Sequence, residues 1–182
     1  MFLRSLACTL LLASSTLAVP TLGCAAQTAD SGKPLASPAA TAMATVGDAK
    51  ITIAYNAPSV RGRKIVGGLV PYGKVWRTGA NPATTITTTS DLHFGKLLVP
   101  AGTHTIYSYP SEKEWLLILN KQTGQWGTEY DITQDLGRVP MTAKPMASPQ
   151  EVMSISFENT TATSAELHVR WEKTDEFVKI TK

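Results

Sequence analysis

This sequence has no usable cysteine pair, no catalytic motif, no marked charge imbalance and no convincing amphipathic helix, and each lack removes a class of protein. It has two cysteines, Cys8 and Cys24. Cys8 lies in an export signal, and Cys24 is either removed with that signal or becomes the mature N-terminus. No intramolecular disulfide therefore staples the exported domain, and its core must hold by itself. There is no G-x-S-x-G elbow, H-E-x-x-H pair, P-loop, dinucleotide fingerprint or paired cysteine ligand set. Charge is nearly balanced, with 17 basic against 14 acidic residues, and losing Arg4 with the leader lowers the net charge from +3 to +2. Nothing in that balance calls for nucleic acid or an anionic membrane. No apolar run reaches the roughly 20 residues of a transmembrane helix.

The N-terminus is an export signal, expected over residues 1–24: Arg4 supplies a positive start, Leu6–Val19 an apolar stretch, and Thr21–Ala26 small residues for cleavage. Cleavage after Ala26 is one reading. The other, preferred here because a tether-like stretch follows, is a lipoprotein box, Leu22-Gly23-Cys24, with Cys24 lipidated; Thr21 stands where such boxes usually have Leu. The chain is thus expected in the periplasm or cell envelope, with membrane contact only through a lipid at Cys24. Residues 25–44, rich in Ala, Thr, Ser, Pro and Gly, are expected to be a flexible linker, because they offer little apolar surface to offset ordering. Residues 45–182 remain, a length at which roughly two-thirds of the unfolded chain's surface is buried in one domain.

From Lys50 onward the periodicity is two. Ile51, Ile53 and Tyr55 alternate with polar or small residues, as in a half-buried strand. Thr84–Thr89 is β-branched throughout and is expected at a solvated sheet edge. Lys96–Val99 and Thr103–Tyr109 flank a turn at Pro100–Gly102. Trp115–Leu119 is apolar on both faces and reads as a central strand. Tyr130 and Ile132 suggest a short strand, Val152–Phe157 and Ala165–Trp171 a hairpin, and Phe177–Ile180 the last strand. Eight or nine short strands at hairpin spacing predict an all-β antiparallel sandwich, with a jelly roll among the arrangements allowed.

The densest polar and aromatic run is Val70–Asn81, VPYGKVWRTGAN. Pro71 and Gly73 predict a type I turn over Val70–Gly73. Lys74–Thr78 should be extended, Gly79 free to take φ > 0, and Asn81 extended before Pro82. Arg61, Arg63 and Lys64 lie among Gly62, Gly67 and Gly68, and guanidinium forks beside bare backbone donors suit a carboxylate, sulfate or phosphate. A solvated basic loop is the plainer alternative. Trp115 and Trp171 fall on apolar strand faces, whereas Trp76 and Trp126, each near a turn glycine, are either core or platforms for sugar rings. Of the three histidines, His168 should point outward with Glu166 and Arg170 on a solvated face, His104 shares a face with Ile106 and Ser108, and His93 sits at a strand edge. Neither a metal nor a cofactor is expected.

The runs GRKIVGGLVPYGKVWRTGANPATTIT, GKLLVPAGTHTIYSYP, EWLLILNK and WGTEYD make the chain, from about Thr45 to Lys182, similar to the domain-of-unknown-function 2911 family of bacterial exported proteins. The resemblance implies a β-rich exported protein, often behind a signal or lipoprotein sequence, with no established activity and no catalytic residues to carry over. Pro82 stands where that family commonly has Glu after GAN, His104 where an aromatic is usual, and Ala57 where Arg is usual. These departures remove polar groups and favour binding or structural work over catalysis.

Three readings follow. In the first, Tyr72, Lys74, Trp76, Arg77 and Asn81, with Arg61 and Arg63 nearby, hold an anionic or glycan ligand. In the second, Arg77 and Asn81 stabilise an oxyanion in a small hydrolase or lyase while Asp91 or Glu129 acts as base. In the third, the run is a folding corner with Arg77 buried and paired to an acid.

Overall fold

The structure, a computed structural model, describes residues 36–182. The expected export signal, Cys24 and residues 25–35 of the expected linker lie outside the described residues. Twelve strands form the fold: β1 (Ala39–Val46), β2 (Ala49–Asn56), β3 (Thr84–Thr88), β4 (Leu92–Phe94), β5 (Leu97–Val99), β6 (Gly102–Tyr109), β7 (Leu116–Asn120), β8 (Asp135–Pro140), β9 (Thr142–Ala143), β10 (Gln150–Glu158), β11 (Ser164–Glu172) and β12 (Thr174–Thr181). One sheet runs β1-β2-β3-β6-β7-β8 and the other β10-β11-β12-β4-β5, with β9 beside β12. Every pairing is antiparallel. The predicted sandwich is therefore present, with more strands than expected because several have only two or three residues.

Alternation builds the core. Ile51 and Ile53 on β2, Ile86 on β3, Ile106 on β6 and Leu117 and Leu119 on β7 face Leu167, Val169, Val178 and Ile180 of the second sheet. Tyr55 spans the two layers, its hydroxyl accepting the Ile155 N–H at 3.1 Å.

Three sequence expectations change. Residues 39–44, expected as linker, are part of β1, which pairs along its whole length with β2 and turns Ala42 and Val46 into the core. Thr84–Thr88 is not an edge, because β3 lies between β2 and β6 and buries Thr84 and Thr88 beside Ile86. Tyr130 and Ile132 start no strand: Ile132–Gln134 is a 3-10 turn capped by Asp131, and β8 begins after it.

Candidate functional site

The long connection from β2 to β3 shapes the end of the sandwich. It first follows the free edge of β10, where the Val60 N–H donates to Glu151 O and the Met153 N–H to Pro58 O, both at 2.8 Å. Ile65 and Val70 then plug the core. Trp76 makes a single rung with Ser108 of β6, its ring stacked on Trp171 (5.8 Å, 18°) and edge-on to Trp115 (6.3 Å, 89°). Trp76 is thus core and not a sugar platform, and its neighbours Val75 and Arg77 turn to the other face of the first sheet. The closing turn uses Thr78 (φ 50°) and Asn81 (φ 60°) in the left-handed region instead of Gly79. Gly79 is there for space, since a Cβ would lie 2.9 Å from Thr84 Oγ1 and 3.1 Å from Asn56 O.

A strap, residues 124–130, crosses the outer face of the first sheet. Beneath it Tyr107, Ile118 and Ala83 form a second small core with Val75, Tyr109 and Tyr130 at its margin. The strap is clamped where the Gly127 N–H donates to Asn81 O (3.2 Å) and the Ala83 N–H to Gln125 O (3.4 Å). A side chain at residue 127 would collide with that Asn81 oxygen at 2.7 Å and with Arg77. Gln125 donates to Tyr107 Oη (3.0 Å) and Thr105 Oγ1 (3.2 Å). Burial pushes the Tyr107 hydroxyl up, and burial with the hydrogen bond to Asp135 pushes Tyr130 up to about 12, so both phenols stay protonated at neutral pH.

Beside the strap lies a groove of about 320 Å³, floored by Thr41, Ala54 and Thr85 in one row across β1–β3 and walled by Asn56, Pro82 and Gln125. Trp126, bridged through its backbone to Pro82, is 51% exposed next to it. Arg77 packs against Gly127 of the same strap. Arg61, Arg63, Arg138 and Arg170 each donate to protein acceptors, whereas the Arg77 Nε is buried without one.

The seven residues expected at one site fall in four places, Trp76 being in the core between Trp115 and Trp171. Arg61 donates to Ala36 O (2.8 Å) and Arg63 to Ser59 O (2.6 Å), so both fasten their own loop beside β10. Tyr72 lines a separate pocket, and Lys74 is exposed near it in sequence. Only Arg77 and Asn81 meet, under the strap. Asp91 lies past the far end of β3, accepting the Ala101 N–H at 2.8 Å, and Glu129 is exposed. Among the described residues no carboxylate pairs with Arg77, so neither the oxyanion-and-base arrangement nor the buried ion pair of the corner reading is assembled.

His168 departs most from expectation. It does lie on the outer face of β11, yet it is 0% exposed. Its ring stacks on Phe177 (4.9 Å, 19°), and its Nδ1 is 2.7 Å from Asp175 Oδ1. Arg170 bridges Asp175 (2.7 Å) and Glu158 (2.6 Å), and Lys144 also reaches Glu158 (3.0 Å). The charges on this face pair with one another around the ring, Lys144 and Glu158 remaining partly exposed. Hydrogen bonds from Arg170, then Lys144, hold the Glu158 carboxyl down to about 2. No group of three or more His, Cys, Asp or Glu is placed to hold a metal among the described residues.

One residue escaped the sequence reading. Glu176 sits on the inner face of β12 in phase with Val178 and Ile180, 7% exposed. That phase was the available signal, a carboxylate in a row of core positions. Burial, then the charge of Asp175, pushes it up to about 7.

No curated protein and no solved structure matches the chain. A family model described as "Protein of unknown function (DUF2911)" matches residues 37–180.

Proposed function

Because the chain belongs to the DUF2911 family of proteins of unknown function, we propose its role from its own surface: a non-catalytic, exported cell-envelope module that binds a glycan bearing an anionic group. Trp126 carries this reading. A large ring left half in water, on a residue that follows groove-lining Gln125 and bridges through its backbone to groove-lining Pro82, invites an apolar sugar face, because such a ring offers wide contact area at small entropic cost. The groove complements it with hydroxyl and amide groups from Thr41, Thr85, Asn56 and Gln125 above small side chains, suited to a polyhydroxylated chain. Arg77, packed against the next residue of the strap and with its Nε buried without an acceptor among the described residues, supplies the charge for a carboxylate or phosphate substituent. Export through the N-terminal signal, with the lipoprotein form preferred, would place the module where envelope glycans are met.

The test is titration of the protein with acidic and neutral envelope glycan fragments, followed by tryptophan fluorescence and calorimetry. Acidic fragments should bind, Trp126→Ala should weaken binding about tenfold or more, and Arg77→Lys should lower the preference for acidic over neutral fragments. Equal binding by wild type and Trp126→Ala would sink the reading.

A further inference from the structure

At the end of the sandwich closed by the β2–β3 connection, but lined by other residues than the groove, a pocket of about 220 Å³ opens between the β6–β7 turn, Tyr72 and the inner face of β12. Its depth is formed by Glu176, Trp115 and Met141, all more than nine-tenths buried. Tyr72, 41% exposed, forms an outer wall. The turn that supplies Trp115 is fixed by Ser111, whose Oγ donates to Glu114 O at 2.6 Å and accepts the Glu114 N–H at 3.0 Å.

Glu176 is the anomaly. The other acids of the second sheet are satisfied, Asp175 by His168 and Arg170, Glu158 by Arg170 and Lys144. Glu176 makes no hydrogen bond or ion pair among the described residues, although it is buried on a core-facing row. Lys113, the one cation lining the pocket, does not pair with it, and Glu112 and Glu114 add negative charge at the mouth. A carboxylate on a side chain more than nine-tenths buried, lining a pocket with no cation paired to it among the described residues, is costly to ionise, and a ligand cation is the natural complement. Divalent ions call for several oxygen ligands, whereas one carboxylate between two aromatic side chains suits an ammonium or guanidinium group.

We propose that this pocket binds a small organic cation, its charged head paired with Glu176 and its body lying against Trp115 and Tyr72. The site is separate from the groove at Trp126 and does not depend on it.

The groups that bear on Glu176 are Asp175 on its own strand, Glu112, Lys113 and Glu114 on the β6–β7 turn, and Tyr72 on the loop from β2 to β3. A cation needs the ionised carboxylate, so binding releases a proton where the empty site is protonated. For a carboxyl that titrates near 7, affinity should rise about tenfold between pH 6 and pH 8.

Butylammonium, choline and agmatine serve as probes, with amide shifts and the Glu176 carboxyl signal read by NMR and affinity by calorimetry. At least one probe should perturb Ser111–Trp115 and Thr174–Phe177, bind more tightly with rising pH and lower the Glu176 titration midpoint. Glu176→Gln should weaken it by about tenfold or more, while Trp126→Ala leaves it unchanged. Absence of binding by all three at millimolar concentration, pH-independent affinity, or full binding by Glu176→Gln would each overturn the proposal. The wild-type pH series decides the matter even if the variant folds poorly.

Discussion

At the scale of single residues, the informative positions are those where a side chain's chemistry conflicts with its place in the alternation. Glu176 titrates near 7, above the ordinary carboxyl range near 4.5. The folded state therefore holds its proton more tightly than the unfolded chain does. The resulting penalty is absent below about 4.5, grows as pH rises, and is complete above about 7. Glu176→Gln should gain up to about 3 kcal/mol over wild type at pH 8 and nothing at pH 4, measured by urea unfolding. An equal difference at both pH values would refute the assignment. Alternation gave the correct face for His168 but not its burial, because Phe177, Asp175 and Arg170 close around it from a neighbouring strand and its own. Trp76 and Trp126 look alike in sequence; only the fold stacks one on Trp171 and leaves the other in water.

Elements were legible where the apolar pattern was strong, as in the alternation of β2 and of the hairpin of β10 and β11 and in the continuous apolar run of β7. β1 was not, because AATAMATV has the composition of a linker and becomes a strand only through its eight pairs to β2. The strap was hidden for a similar reason: its partners, Asn81 and Ala83, lie about forty residues earlier in the chain. Removing residues 36–46 should expose the edge of β2 and uncover Ile51 and Ile53. Stability should fall by at least about 2 kcal/mol, with concentration-dependent association. Urea midpoints and light scattering would show this, and an unchanged midpoint would mean that β1 is decoration.

For the molecule as a whole, the sandwich class could be read from the spacing of strands, but the convergence of Trp126, Arg77 and the groove, or of Glu176, Tyr72 and Trp115, depends on contacts far apart in sequence. Acid stability is another whole-molecule property. Glu158, held near 2 by Arg170 and Lys144, contributes stability that is fully present above about 4.5 and lost as pH falls towards 2. Melting temperature should drop across that interval, and less steeply in Glu158→Gln; parallel profiles would argue against this ion network. The chain's two described ends also have opposed positions. Ala39 starts β1 opposite Asn56, while Lys182 lies at the other end of that strand, its N–H on Thr163 O and its side chain paired with Asp48 in the β1–β2 turn. Tension applied between these ends runs along β1 and loads its eight rungs to β2 together in shear, so that the strand resists as a unit and does not unzip rung by rung.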